Sequence, residues 1–169
     1  MGEVLVLVDH VEGEIKKSTF ELLTAARTLG EPSAVIVGGP GTATKLADGL
    51  REYGAEKVYV AETDSTEFLS PQVDVLAALV GRLDPAAVLI ASSADGKEVA
   101  GRLAVRTGSG WLNDVVALDA QGTTHSVFGG AWTAQATANT AHPVITVRQG
   151  AVEAAAAAAA GTEESIDVP

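Results

Sequence analysis

The chain has 169 residues, 47% of them hydrophobic, with 22 acids against 11 bases and a formal net charge of −11; this is ample for one domain with a buried core and excludes wholesale disorder. Such an excess of negative charge repels phosphate backbones and anionic lipid headgroups, so nucleic acid and membrane surfaces are poor partners and a basic or redox-coupled protein fits better. Cysteine is absent, which removes disulfides, thiolate metal sites and cysteine nucleophiles together.

Met1-Gly2-Glu3 ahead of the run Val4 to Val8 lacks the basic flank and the length of a signal peptide, and no apolar run approaches the roughly 18 residues of a membrane span. The expectation is a cytoplasmic chain without membrane insertion. Through the first two thirds, apolar runs of strand length alternate with helical patterns, the signature of βαβ units and a parallel sheet. Val4 to Val8 is the first strand. Ser18 or Thr19 opens a helix whose Phe20, Leu22, Leu23, Ala26 and Leu29 form one stripe and which Gly30 terminates. Glu31-Pro32 reads as a turn, Ala34 to Val37 as a second strand, Thr42 to Tyr53 as a helix ended by Gly54, and Lys57 to Val60 as a third strand. Ser70-Pro71 sets proline in a favoured first turn ahead of Val73, Leu76, Leu79 and Leu83, and Asp84-Pro85 breaks that helix before a strand from Ala87 to Ala91. A fourth helix runs from about Lys97 to Thr107.

After Gly108-Ser109-Gly110 the pattern changes. Val115 to Leu118, Thr124 to Phe128, Thr133 to Ala138 and Val144 to Val147 follow one another with only turn residues between them. Parallel neighbours need a crossover of a dozen or more residues, so these strands are expected to be partly antiparallel. Residues 1–150 thus form an α/β body with an added β segment. From Gly150 the composition shifts to seven alanines, Ala154 to Ala160, and then to Thr162–Pro169; with Glu153, Glu163, Glu164 and Asp167 and no base, residues 151–169 read as an acidic exit linker without an amphipathic pattern for docking.

Several stretches bear on chemistry. Gly38-Gly39-Pro40-Gly41-Thr42-Ala43-Thr44-Lys45 joins a strand to a helix, where backbone amides can hold phosphate. Thr44 stands where a dinucleotide fingerprint needs glycine, Pro40 removes a donor, and no Gly-Lys-Ser/Thr follows. Glu62 is spaced as a ribose-binding acid. A stronger geometric candidate is the crevice where strand order reverses, lined by Asp9 and His10 and by Ser92-Ser93-Ala94-Asp95-Gly96-Lys97. Together these offer a base, carboxylates, hydroxyls and an ammonium; equally, Asp95 can cap a helix, Gly96 can permit a turn, and Lys97 and Glu98 can be solvated. His10, His125 and His142 show no metal spacing, and no serine lies in a nucleophile elbow, which disfavours hydrolase and metalloenzyme readings. Trp111 and Trp132 are expected in the core, with an interface as the other possibility.

Three stretches together resemble the N-terminal domain of the electron transfer flavoprotein α subunit. The first is Val4-Leu5-Val6-Leu7-Val8-Asp9-His10, with Gly13-Glu14-Ile15-Lys16 and the helix from Glu21 to Gly30. The second is Asp95-Gly96-Lys97-Glu98-Val99-Ala100-Gly101-Arg102-Leu103-Ala104, continued by Gly108 and Asn113-Asp114-Val115. The third runs from Val127-Phe128-Gly129-Gly130-Ala131 to Pro143-Val144-Ile145-Thr146-Val147-Arg148. Two positions depart from the pattern: Gly101 stands where many members have proline, and Gly130-Ala131 where glycine and asparagine are common.

The resemblance implies a Rossmann-like fold of the adenine nucleotide alpha hydrolase type, a parallel sheet flanked by helices. It implies a complete subunit that pairs with a β subunit, carries FAD and passes electrons from acyl-CoA and other dehydrogenases, as in fatty acid β-oxidation, to a downstream oxidoreductase and the respiratory chain. In that family FAD lies mainly in a C-terminal domain entered after a linker, and bound AMP sits in the β subunit. The domain here is then structural, an electron-carrier part and not an enzyme, with no catalytic, cofactor-binding or metal residue of its own. Surface left uncovered favours self-association. The rival readings are a universal-stress-type nucleotide sensor, which needs more glycine than Ser92 to Lys97 provides, and an adenine-nucleotide hydrolase-like enzyme, which needs paired glycines there.

Overall fold

In the computed structural model, which describes residues 2–169, β1 (Glu3–Leu7) leads through a short hairpin, β2 (His10–Val11) with β3 (Glu14–Ile15), into α1 (Lys17–Ala26). Three further strand–helix units follow: β4 (Glu31–Gly38) with α2 (Thr42–Glu52), β5 (Lys57–Glu62) with α3 (Ser70–Leu83), and β6 (Ala87–Ala91) with α4 (Ala94–Thr107). The β segment then comprises β7 (Trp111–Asp119), β8 (Gly122–Val127), β9 (Trp132–Ala136) and β10 (Val144–Val147), and β11 (Thr162–Ser165) closes the chain. Ten-residue or longer helices alternate with strands because each strand, buried on both faces, reads as a continuous apolar run, while each helix needs only one apolar stripe.

One nine-stranded sheet collects all but the small hairpin, in the order β11-β5-β4-β1-β6-β10-β7-β8-β9. It is parallel from β11 through β7 and antiparallel across β7, β8 and β9, as the short links require. Successive side chains of a strand point to opposite faces. Val4 and Val6 therefore join Leu22, Leu23, Leu46 and Leu50 in one layer, and Leu5 joins Leu76, Leu79, Val99 and Leu103 in the other. All of these are essentially without solvent contact.

Several boundaries differ from expectation. Glu31-Pro32 is no turn: it starts β4, where Pro32 lies opposite Val4 and its carbonyl accepts from Glu56 N at 2.9 Å. A proline at the head of a strand forgoes a ladder donor at little cost. The fourth helix begins at Ala94, three residues before Lys97, because Ser93 caps it.

The alanine-rich stretch, expected as a linker with nothing to dock, is instead laid against the body. Ala157 N and Ala159 N donate to Glu52 O and Arg51 O, both at 2.9 Å, and Gly161 N donates to Ala55 O at 2.8 Å. Glu52 and Arg51 stand in the last turn of α2, whose carbonyls have no partner inside the helix. The tail satisfies them through its backbone, so it needs no apolar side-chain pattern. β11 then adds in parallel to the edge of β5, with Glu163 and Glu164 paired to Arg51 and Arg82 at 3.3 and 2.9 Å. Among the described residues no helix is long and apolar enough to cross a membrane.

Candidate functional site

The strand order reverses between β1 and β6, and the crevice above that point is where ligands of open α/β sheets bind. A cleft of about 240 Å³ opens there, walled by Leu7, Asp9, His10, Lys16, Leu69, Gln72, Ser93, Asp95 and Val99. The structure thus brings together Asp9, His10, Ser93, Asp95 and Gly96, five of the positions singled out in the sequence. Ser92 and Lys97 are not on the wall.

Several polar groups of the cleft have an internal partner. The Asp9 carboxylate lies 3.5 Å from Lys16 Nζ, and Asp9 N donates to Thr19 Oγ1 at 2.9 Å. His10 Nε2 donates to Val37 O at 3.1 Å. Ser93 Oγ accepts from Gly96 N at 3.0 Å and so caps α4, the role that Asp95 was expected to fill; Asp95 stands instead in the first turn, where the helix dipole favours an acid. Glycine is required at position 96, because a Cβ there would lie 1.9 Å from Ala91 O. That close approach brings the start of α4 down onto the end of β6.

The glycine-rich loop after β4 is occupied by the chain itself. Gly41 N donates to Glu62 Oε1 at 3.0 Å, and Thr42 N and Oγ1 both turn to Gly39 O. Glu62, spaced as a ribose acid, therefore sits on the amide that an incoming phosphate would need. His125 Nδ1 donates to Asn113 O at 3.0 Å and His142 Nδ1 to Pro85 O at 2.7 Å, so all three histidines are engaged with backbone. No group of three or more histidines and acids among the described residues is placed to hold a metal.

A second polar cluster, missed in the sequence, forms where β6 and β10 end beside the interior of β7. Asp114, at φ +56°, accepts from Arg148 Nη2 at 2.7 Å and from Ser92 Oγ at 2.8 Å. The Arg148 hydrogen bond, against some opposing desolvation, holds the Asp114 carboxyl below the usual range, and the same contact raises the guanidinium. This explains why Ser92 faces away from the cleft. Trp111 is half-exposed over Gly101, its Nε1 donating to Thr146 Oγ1 at 3.3 Å. Trp132 is outside the core altogether, because the strand carrying it has no layer beneath it.

A flavin dinucleotide does not fit the switch-point cleft. Its volume is below the roughly 300 Å³ at which sites for drug-sized ligands begin, and two carboxylates, Asp9 and Asp95, are on its wall, where they disfavour a pyrophosphate. Gln72 Oε1 is buried there without a hydrogen-bond partner, and as an acceptor it adds to the electronegative wall. Sequence spacing carried no signal for Gln72, since it is one polar residue on a helical stripe.

Comparison with known proteins agrees with the architecture. The family model described as the electron transfer flavoprotein domain matches residues 4–169. The chain is 59% identical over 172 aligned positions to the electron transfer flavoprotein subunit alpha of Mycobacterium tuberculosis, covering 100% of this chain and 54% of that protein. It is 56% identical to the protein of the same name from Mycobacterium leprae, with the same coverage. At 33% identity it is similar to the LctC subunit of a lactate dehydrogenase (NAD(+),ferredoxin) from Acetobacterium woodii, over 86% of this chain and 37% of that one. The chain spans about half the length of the mycobacterial relatives.

Proposed function

Because the chain belongs to the electron transfer flavoprotein domain family, we propose that it is the structural and subunit-interface part of a flavin-based electron carrier. The carrier takes electrons from acyl-CoA and other dehydrogenases and passes them toward the respiratory chain, working in the cytoplasm beside a β subunit. One observation carries this reading: the family match extends over residues 4–169, while the cleft at the switch point is too small and too acidic for the flavin. FAD is then held by the rest of a longer polypeptide, toward which residues 151–169 lead. In the 169 residues no side chain is assigned to catalysis, to cofactor or to metal; their work is to hold the subunits and the flavin-bearing half in register.

The test is spectroscopic. The 169-residue chain is expected to purify colourless, and the longer polypeptide purified with its partner subunit is expected to show flavin absorbance. Stoichiometric FAD on the 169 residues alone would overturn the assignment. Calorimetric titration with AMP and ATP addresses the nucleotide-sensor reading, which micromolar binding would favour; the carboxylates of the cleft and the Glu62 contact to Gly41 N support no such binding.

A further inference from the structure

Between the end of β10 and the start of β11 the chain runs back along the sheet without a helix, and residues 151–161 have no regular secondary structure. Parallel strands of one sheet are ordinarily joined through a packed helix. Here the crossover is a strap held by its backbone. Ala155 N donates to Thr24 Oγ1 of α1 at 3.1 Å, Thr162 N to Glu56 O at 3.1 Å and Ile166 N to Val60 O at 2.9 Å, in addition to the bonds from Ala157, Ala159 and Gly161 to the end of α2 and the turn after it. Among the described residues from Ala151 to Pro169, Gly161 alone is buried, so little apolar burial fixes the segment.

β11 itself, Thr162-Glu163-Glu164-Ser165, has no apolar residue and is exposed throughout, whereas register in a sheet is ordinarily set by the apolar pattern. Charge and one glycine set it instead. Glu163 and Glu164 are neighbours and so point to opposite faces. Glu163 meets Arg51 in the last turn of α2, and Glu164 meets Arg82 in the last turn of α3, where Arg82 also stands 5.5 Å from the centre of the Tyr59 ring. Gly161, at φ +56°, lies where a Cβ would come 2.1 Å from Arg51 Cγ, so Ala160 or Thr162 slipped into its place would collide. The arginines matter for a further reason. The tail, with four acids and no base, lies on a body that itself holds more acids than bases, and without the two cations like charge repels it.

We propose that residues 151–166 are a detachable strap latched by Arg51 and Arg82, which lifts as one unit while the rest of the domain stays folded and thereby uncovers the edge of β5. Both ion pairs are partly exposed, and such pairs contribute little each; elements with few buried apolar contacts open first. Beside the strap, Val58, Tyr59, Val60 and Ala61 of β5 are buried. An apolar edge of that length with unpaired N–H and C=O groups is a template for another strand. The strap is therefore a guard on that edge, and one arginine on each face suits the edge to a segment with acids at two successive positions.

Hydrogen exchange of the 169-residue chain, resolved by residue, tests this. The amides of Ala157, Ala159, Gly161, Thr162 and Ile166 are expected to share one opening equilibrium and to be about 100-fold or more less protected than those of Val4 to Val6 in β1, within the span from local opening to global unfolding. Arg51→Ser/Arg82→Ser is expected to raise exchange at these five amides about tenfold, the loss of two partly exposed ion pairs, and to leave β1 unchanged. Lys17→Ser/Lys45→Ser removes the same charge from residues that make no ion pair with the tail, and is expected to leave the strap within about threefold of wild type. Strap amides as well protected as those of β1 would mean that the tail leaves only on global unfolding, and scattered rates would mean fraying without a unit; either result overturns the proposal. An arginine variant that exchanges like wild type, or a lysine variant that matches the arginine variant, removes the latch and overturns it as well.

Discussion

Glu3→Ala tests the wiring beneath the sheet, at the end opposite the cleft. Glu3 Oε2 accepts from Ser33 Oγ and from Tyr59 Oη, both at 2.8 Å, and Oε1 accepts from Lys57 Nζ at 2.8 Å. Ser33 and Tyr59 are 1% and 0% exposed, so removing the carboxylate strands two buried hydroxyls. At about 1–3 kcal/mol for each buried unsatisfied group, the cost is about 3–4 kcal/mol, a large share of the roughly 5–15 kcal/mol that stabilises a domain. The Lys57 ammonium is 45% exposed and adds no more than about 1 kcal/mol. Glu3→Gln separates the two contributions. Its carbonyl can take the place of Oε2 and keep both hydroxyls, losing only Lys57, for about 1 kcal/mol.

The pH dependence follows from the same contacts. Burial works to raise the Glu3 carboxyl, but the hydrogen bonds from Lys57, Ser33 and Tyr59 outweigh it and hold the group below its ordinary value of 4.5. Stability from the ionised carboxylate is thus present above 4.5 and drains away as the pH falls through the lowered native value. Tyr59, pushed up to about 12 by burial and by its bond to Glu3, loses stability in the other direction, between its ordinary value of 10.0 and about 12. Urea unfolding followed by tryptophan fluorescence across pH measures all of this. Glu3→Gln is expected to flatten the acid limb and leave most of the stability at neutral pH. A cost for Glu3→Ala under about 1 kcal/mol, or no greater than that of Glu3→Gln, would refute the assignment of the energy to the buried hydroxyls.

Three further outcomes are expected. Gly96→Ala places a methyl 1.9 Å from Ala91 O and forces α4 off the end of β6, for about 3 kcal/mol in urea unfolding; a loss below about 1 kcal/mol would mean that the helix start retreats freely. Ser93→Ala removes the cap on Gly96 N and lowers stability by about 1 kcal/mol, while Asp95→Ala, which caps nothing, costs less; the reverse order would restore Asp95 as the cap. Deleting residues 162–169 strips β11 from β5 and Ile166 and Val168 from the α3 layer, for about 2 kcal/mol of lost apolar burial, read as a fall of about 4–8 °C in melting temperature. An unchanged melting temperature would show that the tail contributes no net stability.

The legibility of this chain follows from how far each signal reaches. Strands such as Val4 to Val8 and Ala87 to Ala91 announce themselves because burial on both faces needs apolar residues at every position. The antiparallel segment was readable from the shortness of its links. The β2–β3 hairpin was not, since two residues per strand carry no period, and β11 was not, since Thr162-Glu163-Glu164-Ser165 has no strand character of its own. At the cleft, Asp9 and His10 could be set beside Ser93 and Asp95 from the rule of the switch point alone. The outward turn of Ser92 could not be foreseen, because its partner Asp114 arrives from β7, 22 residues away.

The amino-acid order by itself determined the alternation of strands and helices, the layered core, and the absence of charge from residues 120–147, because each of these depends only on neighbours a few positions apart. The tertiary structure decided the insertion of β10 between β6 and β7, the docking of the alanine tail on the open carbonyls of α2, and the exposure of Phe128 and Trp132. Those outcomes are set by which edge, helix end or layer happens to be free when distant segments meet, and that is a property of the assembled fold and not of any local stretch.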